Sequence, residues 1–65
     1  MKLMVNGEVT EAKGPSLADL LVELGKGNDK LATAVNEVFV PASTRAAHML
    51  SDGDRIELVS PRQGG

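Results

Sequence analysis

KLMVNGEVTEA, residues 2–12, decides how the rest of the chain is read. Apolar residues flank Asn6-Gly7 on both sides. Asn-Gly is the strongest short-range hairpin signal, because a type I′ turn needs positive φ at both central residues. Residues 2–5 therefore read as one strand and residues 8–12 as its antiparallel return. Gly14-Pro15 then breaks the chain.

Past that break the hydrophobic period changes. Leu17, Leu20, Leu21 and Leu24 fall at i, i+3, i+4 and i+7, one apolar stripe of an amphipathic helix. Ser16 is a good N-cap, and Asp19, three residues on, makes a weak version of a capping box. Gly25 or Gly27 ends the helix, with Lys26 near its negative end. Residues 28–30 are a polar loop.

The second half holds three more strands. LATAV, residues 31–35, is apolar nearly throughout and reads as a well-buried strand. Val38, Phe39 and Val40 return after Asn36-Glu37, and Pro41 stops them. Residues 42–50 suggest a short helical turn begun at Ser43 or Thr44. Asp52-Gly53 is a turn. RIELV, residues 55–59, alternates Ile56 and Leu58 with charged neighbours and is the last strand. Five short strands and one amphipathic helix define an α+β two-layer domain, a mixed sheet with the helix on one face.

The totals narrow the function. Sixty-five residues make one small domain with a thin core, and no cysteine is present to staple it. The net charge is −2, from nine acids and seven bases spread along the chain. That leaves no basic stripe for a phosphate backbone, and one phenylalanine is no stacking platform, so nucleic acid is a poor partner. The apolar runs are too short to span a membrane. The first ten residues turn polar too soon for a signal peptide. A cytoplasmic protein is expected.

Catalytic machinery is not evident. His48 is the only histidine, set in the apolar stretch AAHML. A partly buried structural role is expected there in preference to general-base catalysis. One histidine with scattered carboxylates makes no zinc site. Asp52, Asp54 and Glu57 stand at metal-like spacing, but SDGDRIE lacks the ligand ladder of a calcium loop and reads as a tight turn. Gly25-Lys26-Gly27 follows a helix instead of opening one, so it reads as a helix stop and not as a phosphate loop. No catalytic residue, no metal site and no bound cofactor are expected.

What remains is SPRQGG, residues 60–65. Glycine contributes nothing to packing, and a terminus frays unless something ties it down. The pair is either a frayed end or the working part of the molecule.

The whole pattern resembles the β-grasp sulfur carriers, most closely the thiamine-biosynthesis sulfur-carrier (ThiS) family. The opening strand with VNGE, the segment AVNEVFVP, the motif DGDRIELV and the ending QGG all sit where that family has them. Each piece is weak alone, but together, in order, they are specific. The resemblance implies a ubiquitin-like β-grasp fold over residues 1–60, with the last strand central and parallel to the first. It also implies a flexible tail over residues 61–65, ending Gly-Gly and projecting roughly 17 Å when extended.

The resemblance further implies the chemistry. The carboxylate of Gly65 is adenylated by an E1-like adenylyltransferase that consumes ATP and magnesium. Sulfur from a cysteine desulfurase or other donor then gives a thiocarboxylate, and thiazole synthase accepts that sulfur. Gly64, Gln63 and Arg62 form the rest of the tail. A sulfur carrier of the molybdopterin synthase type is the nearest alternative, and an inert ubiquitin-like binding module is another. The carrier would be a co-substrate and not an enzyme.

Two departures stand out. The family often has Asn-Gly where this chain has Asn36-Glu37, so a wider or shifted turn is expected there. A basic residue commonly follows the family's Val-Pro, where this chain has Ala42. The sheet face not covered by the helix is the expected docking surface, with Val59, Pro61 and Phe39 as candidates. For Phe39, the one aromatic residue, a place in the core is the first expectation.

Overall fold

The computed structural model describes residues 1–27 and 30–60. Its elements follow in the order β1 (Lys2–Val5), β2 (Glu8–Glu11), α1 (Leu17–Glu23), β3 (Ala32–Val35), β4 (Val38–Val40), a 3₁₀ helix (Ala42–Ala47) and β5 (Arg55–Val59). The five strands form one sheet in the order β2-β1-β5-β3-β4. β5 runs parallel to β1 and antiparallel to β3, so the last strand lies at the centre. This is the arrangement the resemblance implies.

The first hairpin forms as its sequence requires. Asn6 (φ 50) and Gly7 (φ 85) both take the left-handed conformation, and β1 pairs with β2 from Lys2↔Glu11 to Val5↔Glu8. The second hairpin corrects an expectation. Its turn is neither wider nor shifted: Val35 pairs directly with Val38, leaving Asn36 (φ 51) and Glu37 (φ 73) as a two-residue turn. Glu37 therefore occupies a backbone conformation that suits glycine better, at a cost of roughly 1–2 kcal/mol.

α1 is only seven residues long, too short to persist by itself, so its ends and its buried face must hold it. At the N-terminus the capping box is complete. The Ser16 hydroxyl accepts from the Asp19 N–H (3.1 Å), and the Asp19 carboxylate accepts from the Ser16 N–H (3.2 Å). At the C-terminus, Gly25 takes φ 76, its N–H donates to Val22 C=O (3.0 Å), and the Lys26 N–H donates to Leu21 C=O (2.8 Å). That is a Schellman close, with Gly25 at the left-handed position.

Leu17, Leu20 and Leu21 of the helix pack onto Leu3, Val35, Val40, Ile56 and Leu58 of the sheet, joined by Ala12 and Leu50. Leu3, Leu17 and Leu20 have no exposed surface. Truncating one such leucine to alanine costs about 2–5 kcal/mol, a large share of what a domain this size has. The chain approaches α1 antiparallel to residues 48–50: Leu17 N–H donates to His48 C=O (2.9 Å) and Leu50 N–H to Pro15 C=O (2.8 Å).

Two further expectations change. β3 is not buried on both faces: Thr33 and Val35 face the helix, whereas Ala32 is exposed and Ala34 half-buried. Alanine hides this alternation, because it reads as apolar on either face. Phe39 is not in the core; it is 65% exposed. The helical turn expected from Ser43 or Thr44 is the 3₁₀ helix starting at Ala42, with Pro41 at its N-cap position.

Candidate functional site

The site is built around β5. Ile56 and Leu58 point into the core, and Arg55, Glu57 and Val59 alternate onto the opposite face. Register places their neighbours. Val59 pairs with Ala32, Glu57 pairs with Ala34, and Ala34 pairs with Phe39. Directly paired residues share a face, so Val59, Ala32, Ala34 and Phe39 lie together on the side away from the helix. On the far side of β5, Met4 pairs with Val9, which is 64% exposed.

This open face is thus apolar at one end, next to where β5 finishes. Val59 is 57% exposed, and the small Ala32 and Ala34 leave Phe39 standing above its neighbours. Beside it a shallow groove is lined by Ala32, Phe39, Pro41 and Ala42, with Lys30 and Arg45 adding positive charge. An apolar patch rimmed by polar groups, here including Glu57 opposite Ala34, is a candidate surface for protein contact. Of the sequence-derived docking candidates, the structure places Val59 and Phe39 on this one face. Pro61, Arg62, Gln63, Gly64 and Gly65 lie outside the described residues.

Both ends of β5 are held by asparagine side chains. At its start, the Asn36 N–H donates to Arg55 C=O (2.7 Å), and Asn36 Oδ1 accepts from the Arg55 N–H (2.9 Å). Asn36 Nδ2 donates to the Asp54 carboxylate (3.0 Å). At its end, Asn6 Oδ1 accepts from the Leu58 N–H (2.9 Å) and Asn6 Nδ2 donates to Leu58 C=O (3.3 Å). In the sequence both asparagines read as turn residues only. Their second role had no local signal, because each partner lies 18 or more residues away.

The other residues singled out have structural places. The Asp52 carboxylate accepts from the Lys2 N–H (2.8 Å), and the Asp54 carboxylate accepts from the Ser51 N–H (2.8 Å). The DGD motif thus ties the start of β1 to the start of β5. No group of three or more metal-ligating side chains gathers among the described residues. His48 is half-buried, and its backbone carbonyl serves the start of α1. Gly25 closes the helix. The one ion pair among the described residues, Arg55 to Glu37 at 3.5 Å, is largely solvent-exposed and contributes little. No helix among the described residues is long and apolar enough to cross a membrane.

A mixed five-stranded sheet, one covering helix, and a last strand at the centre of the sheet define a ubiquitin-like β-grasp domain. Its relatives make the assignment specific. The sequence profile of the ThiS family matches residues 3–65. The chain belongs to the ThiS family.

The sulfur carrier protein ThiS of Escherichia coli is 32% identical, with both chains covered in full. A thiazole synthase of Paramagnetospirillum magneticum is 38% identical over 66 residues. There the whole of this chain matches only 20% of the longer protein. The crystal structure of the thiamine biosynthesis protein ThiS from Geobacter metallireducens superposes with a TM-score of 0.84 at 25% identity, over the full length of both chains.

Proposed function

We propose that this chain is a sulfur carrier for the thiazole step of thiamine biosynthesis, acting as a co-substrate and not as an enzyme. The observation that carries the reading is the family match, which runs through the Gly-Gly at residues 64 and 65. The E. coli relative is itself a sulfur carrier, and the Geobacter relative is a thiamine biosynthesis protein. Both favour thiamine over the molybdopterin alternative.

In this reading Gly65 supplies the reactive carboxylate. A carboxylate is a poor electrophile, and an E1-like adenylyltransferase gives it a good leaving group at the expense of ATP and magnesium. The terminal sulfur of a cysteine desulfurase persulfide then displaces AMP to give an acyl disulfide, and a thiol cleaves its S–S bond, releasing the thiocarboxylate and leaving a disulfide behind. Another donor, at the sulfide level, would displace AMP and give the thiocarboxylate directly. A residue without Cβ leaves the carbonyl open to the incoming sulfur, and Gly64 allows dihedrals that fit a narrow channel.

Arg62 and Gln63 supply side chains near the reacting end, while the body docks through the open face around Val59, Pro61 and Phe39. Thiazole synthase is the proposed acceptor. Support comes from the two thiazole synthases that contain a segment similar to the whole of this chain. ATP use is in keeping with a cytoplasmic setting.

Intact mass tests the reading directly. The chain is expressed in a host that makes thiamine, or incubated with its activating enzyme, ATP and a sulfur source. A species heavier by the difference between sulfur and oxygen, mapping to the peptide that ends at Gly65, is the expected product. Unchanged mass with all components supplied would return the chain to the class of inert ubiquitin-like binding modules.

A further inference from the structure

Asn6 sits at a turn position with φ 50, where glycine would serve the backbone equally well. Its side chain does something the turn does not require. The β1·β5 ladder runs through Met4↔Arg55 and Val5↔Ile56, and the Asn6 N–H then donates to Ile56 C=O (2.9 Å). Beyond that point the chain turns away into Gly7 and β2. Leu58 faces the side that β1 has left, and the Asn6 amide takes both of its backbone groups, at 2.9 and 3.3 Å. One side chain therefore adds a rung to the parallel ladder beside Val59 and Ser60.

Asn36 makes the comparable grip at the opposite end of β5, on Asp54 and Arg55. Only the Asn6 grip borders the segment that carries the Gly-Gly.

We infer that Asn6 is a positioning residue for the reaction at Gly65: its amide pins Leu58 on the side that β3 does not hold, so that the end of β5, the base from which residues 61–65 continue, is fixed from both sides. The inference rests on the sulfur-carrier reading. The presence of a tethered group in a partner's site falls roughly as the −3/2 power of tether length. Without the Asn6 side chain the end of β5 is held on its β3 side alone, through Ala32↔Val59, and frays more readily. Full release back to Leu58 would lengthen the tether from residues 61–65 to residues 58–65, so dilution by that scaling is at most about twofold. Lost direction adds to it, because small misplacements at a reacting centre are costly.

The test compares wild type, Asn6→Gly and Asn36→Gly as substrates of the activating enzyme, read by ATP-dependent pyrophosphate release. Both variants keep a residue suited to the left-handed turn and lose side-chain bonds to β5, so both melt at a somewhat lower temperature. The assay is run well below either transition. Asn6→Gly is expected to lower kcat/KM by about threefold to tenfold, mainly through KM. Its Leu58 amide exchanges at least about tenfold faster, as loss of a protecting bond requires. Asn36→Gly is expected to stay within about twofold of wild type, since its grip lies away from the tail.

Equal kcat/KM for wild type and Asn6→Gly would overturn the inference, as would equal losses in both variants. If Asn6→Gly does not fold, Asn6→Asp decides in its place, because it keeps the acceptor for the Leu58 N–H and removes the donor; wild-type kinetics there would overturn the inference. If the wild-type chain itself releases no pyrophosphate, the sulfur-carrier reading fails and takes the inference with it.

Discussion

Arg45 reaches back from the 3₁₀ helix to Thr33: its Nε–H donates to the Thr33 hydroxyl at 3.1 Å, while its Nη2 donates to Leu31 C=O at 2.6 Å. Thr33 is fully buried, and its own hydroxyl donates to Val40 C=O at 2.7 Å. One hydroxyl thus links β3, β4 and the connection to β5. Thr33→Val keeps the shape and removes both bonds, and should cost about 1–3 kcal/mol. Arg45→Met should cost about 1–2 kcal/mol. Urea unfolding of the two single variants and the double variant gives the coupling. A double variant whose loss equals the sum of the singles would deny that Arg45 acts through Thr33.

Ser16→Ala removes the side-chain half of the capping box on a helix of only seven residues. Ser16 is buried, so water does not replace the lost acceptor for the Asp19 N–H. A loss of about 1–2 kcal/mol is expected, which in a domain this size lowers Tm by roughly 5–15 °C. A change under about 2 °C would mean that the packed leucines alone hold the helix.

Much of this fold was legible in the sequence because its punctuation is local. Asn6-Gly7, Ser16 with Asp19, Gly25 and Asp52-Gly53 each fix a boundary within a few residues, and the structure uses all of them. The sequence misleads where side chains carry two meanings. Alanine at 32 and 34 disguised a half-exposed strand as a buried one. Phe39 reads as core by its size, while register with Ala34 puts it on the open face. The clasps of Asn6 and Asn36 were invisible because they depend on which strands become neighbours, which is settled by the whole sheet. The site was legible only through the family pattern, since no local chemistry marks it.

Glu37→Gly should stabilise the protein. Glu37 holds φ 73 in a tight turn, a conformation that costs a side-chain-bearing residue about 1–2 kcal/mol. Glycine returns part of that gain as unfolded-state entropy. The Arg55 ion pair lost with Glu37 is exposed at both partners and is worth a few tenths of a kcal/mol at most. A net gain of about 0.5–1 kcal/mol is expected, read as a Tm higher by a few degrees. A lower Tm would show that the ion pair or the glutamate side chain outweighs the strain.

Gly65→Ala tests the reacting end. On the proposed chemistry a methyl group at the activated carbonyl hinders both the partner's channel and the incoming sulfur. Thiocarboxylate yield should fall by about tenfold or more, and deletion of Gly65 should fall further, with Tm unchanged in both. Undiminished thiocarboxylate formation by Gly65→Ala would remove the steric argument for glycine at that position.

Val59→Asp and Phe39→Ala probe the open face without touching the core. Val59 is 57% exposed and Phe39 65% exposed, so neither change empties a packed site, and stability should move by less than about 0.5 kcal/mol. In a complex the balance differs. A charge at Val59 would be buried against a partner that expects an apolar surface, and an unpaired buried charge is expensive. Removing the Phe39 ring takes away the largest apolar side chain on the face, the kind of residue that anchors interfaces. On the proposed chemistry, activation by an E1-like adenylyltransferase should therefore show KM raised at least about tenfold for Val59→Asp and a few-fold for Phe39→Ala. The maximal rate should stay near wild type, because Gly65 itself is untouched. Normal KM for both folded variants would move the docking surface off this face. A fall in kcat without a rise in KM would mean that the face guides the reacting end after docking and adds little to affinity.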